Sequence, residues 1–273
     1  MLKRTITAIV AIAVFIPICY FSDTVVFPLA MTALSLIAVY EMLHCLGMKA
    51  PAVVIPSYLL GLLPLLPRFA GENAVELMLA SCVMYLILIL AADVFSRGKL
   101  DFADSAASFT GVFYVTVSFA AIVLLRGVGH YFYLLTFIGP WVSDTFAYLT
   151  GRFFGRHKLI PEVSPKKTVE GSIGGIVFAA VGFVITALVI RRFFDPSVSP
   201  NYIVLAISGA VISVISQIGD LSASVIKRRY GVKDYGWLFP GHGGVMDRFD
   251  SVILTAPVLY LLSQIPAFSG LII

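Results

Sequence analysis

The segment from Asp220 to Asp250 reads DLSASVIKRRYGVKDYGWLFPGHGGVMDRFD, and it concentrates charge in an otherwise apolar chain. It contains five of the 19 Lys and Arg residues, although only 12% of the chain is charged. Apolar sequence lies on both sides of it. Because charge at the edge of a membrane is costly unless it is paired or bound, this concentration predicts a functional segment beside a membrane.

The composition excludes an ordinary soluble domain. Hydrophobic residues make up 59% of the chain and its mean hydropathy is +0.98, whereas globular proteins are about 45–50% apolar. The three cysteines, Cys19, Cys45 and Cys82, lie in apolar runs, and their odd number argues against a disulfide framework. No long basic or acidic tail is present, so we expect no nucleic acid partner.

Apolar runs of about 18 or more residues recur along the chain, which is the signal for membrane-spanning helices. We therefore predict an all-α, polytopic integral membrane protein with about nine transmembrane helices. Lys3 and Arg4 precede an apolar run without a small-residue cleavage pattern, so this run is interpreted as an uncleaved first helix. The predicted helices cover residues 5–21, 24–47, 51–67, 74–96, 105–125, 131–153, 172–190, 202–226 and 249–266.

The distribution of basic residues predicts the orientation. With the N-terminus in the cytoplasm, 15 of the 19 Lys and Arg residues fall on the cytoplasmic side of the nine helices. This excess is what the positive-inside rule predicts. We therefore expect a protein of the cytoplasmic membrane whose two long polar loops, 155–171 and 227–248, face the cytosol together with the active site.

The positions of the polar loops also predict different roles for the two halves of the chain. Residues 1–130 are expected to form a scaffold of transmembrane helices that could also make the contacts of a homodimer. Residues 131–273 are expected to form the catalytic transmembrane region, since both loops fall there. Glu41 and Asp93 lie in the less informative half, and the sequence assigns them no role.

Three acids of the charged segment predict a metal site. Asp220 lies about 10 Å below the basic cluster at Lys227, since an α-helix rises 1.5 Å per residue. Asp247 and Asp250 are three residues apart, so they share a face at the start of the ninth helix. Oxygen ligands favour Mg²⁺, with Mn²⁺ as a substitute and a second cation as a further option. The alternatives are helix capping by Asp247 and Asp250, and a structural partner for Asp220 on a neighbouring helix.

Two further groups of residues suggest nucleotide binding. Asp144 lies at a depth similar to that of Asp220, and it could contact a nucleotide or metal or join two helices through a hydrogen bond. The stretch from Ser164 to Gly171 combines two lysines and two hydroxyls with the start of a Gly-rich helix, which suits an anion. It is not a Walker A loop, and the alternative is a simple positive-inside anchor.

The remaining polar residues of the charged segment suit an anionic lipid. The basic run at Lys227 and Arg228 could bind lipid head groups or merely anchor the helix at the bilayer surface. His242 lies in a Gly-rich turn where backbone amides can approach a phosphate closely. The histidine could contact phosphate or brace the turn.

The same segment resembles a known family. The residues that carry the resemblance are Ser224, Lys227, Arg228, Lys233, Asp234, Gly236, Pro240, His242, Gly243, Gly244, Asp247, Arg248 and Asp250. Their order and spacing are similar to the signature of the phosphatidate cytidylyltransferase (CDP-diacylglycerol synthase) family. The resemblance implies that CTP and phosphatidic acid react to give CDP-diacylglycerol and pyrophosphate, with the bilayer as the setting.

The residues and the resemblance together give a full set of expected site residues. The predicted catalytic residues are Asp220, Asp247, Asp250 and Lys167, of which the three aspartates are also the predicted metal ligands. The predicted substrate-binding residues are Ser164, Lys166, Lys167, Thr168, Asp144, Ser224, Lys227, Arg228, Lys233, His242, Gly243, Gly244 and Arg248. Two alternative functions are a CTP-dependent polyprenol kinase and an ion-coupled membrane transporter.

Overall fold

The computed structural model of the chain describes residues 2–239, 241 and 243–271, with side chains from residue 9 to residue 268 within those ranges. His242, a predicted substrate-binding residue, lies outside the described residues, as does Pro240. The helices are α1 (Leu2–Tyr20), α2 (Val26–Cys45), α3 (Pro51–Leu60), α4 (Leu66–Phe69), α5 (Ala74–Phe95), α6 (Phe102–Val128), α7 (Leu135–Phe154), α8 (Val169–Phe193), α9 (Tyr202–Arg229), α10 (Met246–Ile253) and α11 (Thr255–Ser263).

The prediction of an all-α polytopic membrane protein is confirmed. Within the described ranges, six helical segments are long and apolar enough to cross a membrane, and they span residues 26–45, 51–69, 71–95, 102–128, 169–193 and 202–229. Each of the nine predicted stretches is helical over most of its length. The number nine and the cytoplasmic N-terminus stay predictions.

Two of the nine predicted helices are interrupted. The third divides into α3, a short 3-10 turn at Leu63–Leu65, and α4. Pro56 lies inside α3 and Pro64 inside the turn, and proline removes a backbone donor and clashes with the preceding turn of a helix. The ninth begins at Met246 and divides between Ile253 and Thr255 into α10 and α11.

A β-hairpin occupies the predicted cytosolic loop 155–171. Strands β1 (Lys158–Ile160) and β2 (Ser164–Thr168) pair antiparallel, with Lys158 opposite Thr168 and Ile160 opposite Ser164. The ammonium group of Lys158 also donates to the carbonyl oxygen of Pro165 at 2.7 Å. The lysine-rich β2 is therefore held in a fixed register directly before α8.

The chain forms two compact units, and neither is a single continuous stretch. The first unit comprises Met1–Val123 and Arg229–Phe249. Its core includes the fully buried side chains of Phe27, Met31, Met42 and Phe119. The charged segment between α9 and α10 thus belongs with the first helices of the chain, rather than with the residues on either side of it.

The second unit comprises Leu124–Arg228 and Asp250–Ile273. Its core includes the fully buried side chains of Phe137, Phe183 and Leu205. This unit contains α7, the hairpin, α8 and most of α9. The scaffold and catalytic roles expected for residues 1–130 and 131–273 stay predictions.

Candidate functional site

A cavity of about 370 Å³ lies in the second unit, within the usual size range of small-molecule pockets. One face of α7 lines it, because residues spaced three and four apart lie on one side of a helix. The hairpin, the first turn of α8 and the middle of α9 complete the wall. The lining residues are Asp144, Ala147, Tyr148, Gly151, Arg152, Leu159, Ser164, Lys166, Lys167, Thr168, Gly171, Ser172, Gln217 and Asp220. Six of the predicted site residues are therefore brought together.

Close packing of α7 against α8 builds one side of this cavity. A Cβ added to Gly171 would lie 2.6 Å from the carbonyl oxygen of Ala147, and one added to Gly175 would lie 3.0 Å from that of Ser143. A side chain at Gly174 would overlap Thr150. Small residues spaced in this way allow two helix backbones to approach closely. This row of three glycines, which we call the glycine seam, fixes β2 beside α7.

An ion pair between Lys167 and Asp220 joins β2 to α9 inside the cavity. Each side chain is about one quarter exposed, with an exposed fraction of 27%. Asp144 interacts electrostatically with both Asp220 and Lys167, and the side chain of Ser251 donates a hydrogen bond to it. Asp250 interacts electrostatically with Asp220, Asp144 and Lys227. Three of the predicted acids therefore form one charged cluster with Lys167.

The first amides of α8 are already bonded within the chain. Thr168 caps the helix, since its hydroxyl oxygen accepts a hydrogen bond from the Gly171 amide at 3.1 Å. The Val169 amide donates to the carbonyl oxygen of His157 at 2.9 Å. The helix N-terminus therefore offers an anion less than the sequence suggested. The positive charge that lines the cavity comes from Arg152, Lys166 and Lys167.

Glu170 anchors the base of the hairpin. Its carboxylate accepts hydrogen bonds from the backbone amides of Arg156 at 3.1 Å and His157 at 3.2 Å. It also pairs with the imidazole Nδ1 of His157 at 2.7 Å. These contacts hold the end of α7 against the start of α8, so they position β2 without facing the cavity themselves.

Sequence reasoning missed a polar network on the wall of the cavity. The amide nitrogen of Gln217 donates to the Ser172 carbonyl and to the Ser213 hydroxyl, each at 3.2 Å. The Gln217 side-chain oxygen accepts from the Ser172 hydroxyl at 2.5 Å. The Ser213 hydroxyl bonds in turn to that of Ser143 at 2.7 Å. The only signal was the presence of amide and hydroxyl side chains in an apolar helix, which predicts buried partners without naming them.

The other predicted site residues of α9 lie after Asp220, toward the C-terminal end of the helix. Ser224 lies one helical turn after Asp220. Lys227 and Arg228 lie about two turns after Asp220. Arg228 is exposed, whereas Ser224 and Lys227 are partly buried. A basic group at the end of a membrane helix suits an anionic head group.

The predicted residues of the first unit surround a tight turn. The Asp247 carboxylate accepts hydrogen bonds from the amides of Tyr235 at 2.8 Å and Gly244 at 2.9 Å. Both amides precede α10, so Asp247 binds the turn before the helix, and the alternative that Asp247 and Asp250 cap the helix stays a prediction. Lys233 and Arg248 are exposed, while Gly244 is buried. The role of Asp247 as a metal ligand stays a prediction.

Comparison with known proteins places this chain among enzymes of one kind. Residues 2–265 match the cytidylyltransferase family. A phosphatidate cytidylyltransferase of Staphylococcus haemolyticus is 36% identical over 260 residues, which cover 95% of this chain and 97% of the relative. The chain belongs to the cytidylyltransferase family. Phosphatidate cytidylyltransferases of Staphylococcus saprophyticus and Staphylococcus aureus strain COL are likewise 36% identical, over 262 and 260 residues, with the same coverage of both chains.

Membership of the cytidylyltransferase family confirms the resemblance drawn from the segment 220–250 and makes the protein a nucleotidyltransferase. The match extends over both units, so the N-terminal helices belong to the family as fully as the charged segment does. Among the residues that the structure describes, no group of three or more His, Cys, Asp and Glu side chains is arranged to hold a metal ion. Within the charged cluster, the contact between opposite charges is the ion pair of Lys167 with Asp220.

Proposed function

We propose that this protein is a phosphatidate cytidylyltransferase, which converts CTP and phosphatidic acid to CDP-diacylglycerol and pyrophosphate in phospholipid biosynthesis. The observation that carries the proposal is the cavity in which Lys166 and Lys167 lie beside the acids Asp144 and Asp220. Ammonium groups suit the phosphates of a nucleotide. The relatives that bear this enzyme's name cover nearly the whole chain.

The chemistry requires alignment and charge neutralisation rather than an activated side chain. An oxygen of the lipid phosphate bonds to the α-phosphorus of CTP, and the bond from that phosphorus to the oxygen bridging it to the β-phosphorus breaks. The electron pair of the broken bond leaves with pyrophosphate. A phosphate monoester is largely ionised at neutral pH, because its second pKa is about 6, so the nucleophile needs no general base. Lys166 and Lys167 would hold the nucleotide phosphates in line for this attack.

A divalent cation fits the chemistry of the charged cluster. Asp220 and Asp250 supply only oxygen donors, which suit Mg²⁺ and also Mn²⁺. A Mg²⁺ ion in a nucleotide site is commonly held by one or two carboxylates and the substrate phosphates, so a cage of three side chains is not required. When bound, the cation would neutralise charge on the phosphates. Asp144 would add negative charge beside these two acids.

The lipid substrate would be bound through its phosphate and its apolar body. Lys227 and Arg228 end a long apolar helix, where they can meet an anionic head group at the bilayer surface. Trp237 and Leu238 are exposed in the segment between α9 and α10. Exposed aromatic and apolar side chains of this kind suit the interface between bilayer and water.

The experiment that tests this function follows the base of the nucleotide. Purified protein is incubated with phosphatidic acid, Mg²⁺ and CTP labelled in cytosine, and the lipid fraction is extracted. Label in the lipid, accompanied by an equal amount of pyrophosphate, is the expected result. A polyprenol kinase would leave the label in soluble CDP, and a transporter would form no product, so either outcome would refute the proposal.

We also propose that the active site faces the cytosol, because most basic residues then lie on the cytoplasmic side. In a variant without native cysteines, Glu162→Cys and Trp237→Cys should react with an impermeant thiol reagent only in inverted vesicles. Ser199→Cys, placed between α8 and α9, is the control and should react only in intact cells. Labelling of the first two variants from outside intact cells would contradict this orientation.

A further inference from the structure

Glu41 is a carboxylate inside the apolar helix α2, and only 3% of its surface is exposed. One carboxylate oxygen accepts a hydrogen bond from the Val245 amide at 3.0 Å. The other accepts from the Met246 amide at 2.8 Å. A buried charge is costly unless it is paired or hydrogen-bonded. The two amides that satisfy Glu41 lie about 200 residues away in the chain, at the start of α10.

The backbone around Glu41 is shaped to admit its carboxylate. A Cβ added to Gly236 or to Gly244 would overlap the carboxylate group. Both positions therefore leave room that only glycine provides while Glu41 is in place. The space for the carboxylate is formed by the segment that contains Gly236 and Gly244, and Glu41 enters it from α2. This fit ties α2 to the segment between α9 and α10.

The carboxylate of Asp247 binds the same segment between α9 and α10 by further hydrogen bonds. Its carboxylate accepts from the amides of Tyr235 and Gly244, and the Phe239 amide donates to the carbonyl oxygen of Gly243 at 2.8 Å. Glu41 and Asp247 also interact electrostatically. The described residues 235–239, 241 and 243–246, which we call the clamped loop, are therefore held by two carboxylates, that of Asp247 and that of Glu41 from α2.

We propose that Glu41 is a positioning residue, which fixes the clamped loop so that the loop's functional groups are presented in one arrangement. Its contacts are to backbone amides, so it acts through the loop rather than on a substrate. The consequence for turnover rests on the proposed function, because Gly243, Gly244 and Asp247 are among the residues expected to serve the reaction. The structural part of the inference is independent of that function.

The test compares Glu41→Gln with Ser35→Ala. The Gln variant keeps the size of the side chain, but its amide NH₂ replaces one acceptor and meets a backbone N–H. Ser35 is a matched control, since it is a fully buried polar residue of the same helix whose hydroxyl has no hydrogen-bond partner in the described part of the chain. Both proteins are purified in full length in detergent alongside the wild type.

Three quantities are measured on each protein. We expect Glu41→Gln to lower kcat about tenfold or more, since a charge-assisted hydrogen bond to a buried partner is lost. The number of CTP molecules bound per chain should stay at the wild-type value, because the cavity with Lys167 lies in the second unit. Chymotrypsin should cut faster after the exposed Trp237 in the clamped loop. Ser35→Ala should match the wild type in all three.

A double-mutant cycle adds a test of direct contact. Gly236→Ala should be harmful while Glu41 is present, because the new methyl group overlaps the carboxylate. The same substitution should cost much less in a Glu41→Ala background, where the space is vacant. Coupling of this kind is expected for residues in contact and absent for independent sites.

Two outcomes would overturn the proposal. One is a Glu41→Gln protein with wild-type kcat and wild-type cleavage at Trp237. The other is a loss of CTP-binding sites in proportion to the loss of turnover, which would mean general unfolding. If the wild-type protein transfers no cytidylyl group, the proposed function fails, but the cleavage rates still decide whether Glu41 holds the clamped loop.

Discussion

Asp220→Asn is expected to lower turnover by about a thousandfold or more, because it removes charge at the centre of the proposed reaction site. The substitution keeps the size and polarity of the side chain. It removes the anion that pairs with Lys167 and interacts with Asp144 and Asp250. A lysine left without its counter-ion would be free to pair with another carboxylate of the cluster, which would misplace it for the nucleotide.

The measurement is cytidylyl transfer to phosphatidic acid as a function of Mg²⁺ concentration. The variant should need more Mg²⁺ to reach half of its reduced maximum, since one carboxylate of the proposed cation site is gone. Asp104→Asn is the matched control, because Asp104 is exposed near the start of α6, in the first unit. An Asp220→Asn enzyme with wild-type turnover and metal dependence would remove Asp220 from the reaction.

Lys167→Ala is expected to weaken turnover at limiting CTP by about ten- to a hundredfold, the range expected for a lost hydrogen bond between a charged group and phosphate. Lys167 lines the cavity and pairs with Asp220, so the substitution removes positive charge and leaves the acid without this counter-ion. The KM for CTP should rise as kcat falls, because the lysine is proposed to act on the bound nucleotide.

The KM for CTP and kcat are measured separately for Lys167→Ala and for Lys99→Ala. Lys99 lies between α5 and α6 and carries the same charge outside this cavity. It should therefore leave both constants unchanged. Near-normal activity of Lys167→Ala at limiting CTP would mean that the lysines of β2 serve only as a positive-inside anchor.

The helices could be predicted from the sequence because the signal is local. Apolar runs of membrane-spanning length mark the six long apolar segments, and proline marks the interruption between α3 and α4. The short α10 carries no such run. The hairpin had no such signal. Its strands are short, and β2 reads Ser-Pro-Lys-Lys-Thr without the alternation of apolar and polar residues that indicates a strand.

The sequence predicts those residues of the candidate site whose contacts are made by charged side chains. Asp144 and Asp220 stand out in apolar sequence and Lys167 in a lysine pair before a Gly-rich helix, and the structure places all three on one cavity. Glu41 could not be given a role, because its partners are backbone amides more than 200 residues away. Every residue except proline has a backbone amide, so such a partner leaves no trace in the sequence.

The glycine seam has a mechanical consequence for the cavity. The backbones of α7 and α8 touch at this seam without intervening side chains. Rotation of either helix about its axis would therefore produce a clash at Ala147 or Thr150. Tightly packed interiors deform little and transmit strain. The helices α7 and α8 should therefore move as one stiff body, and any change of cavity volume must be taken up by the hairpin or by α9. The wall that carries Asp144 would then be a fixed reference for the nucleotide that we propose binds in this cavity.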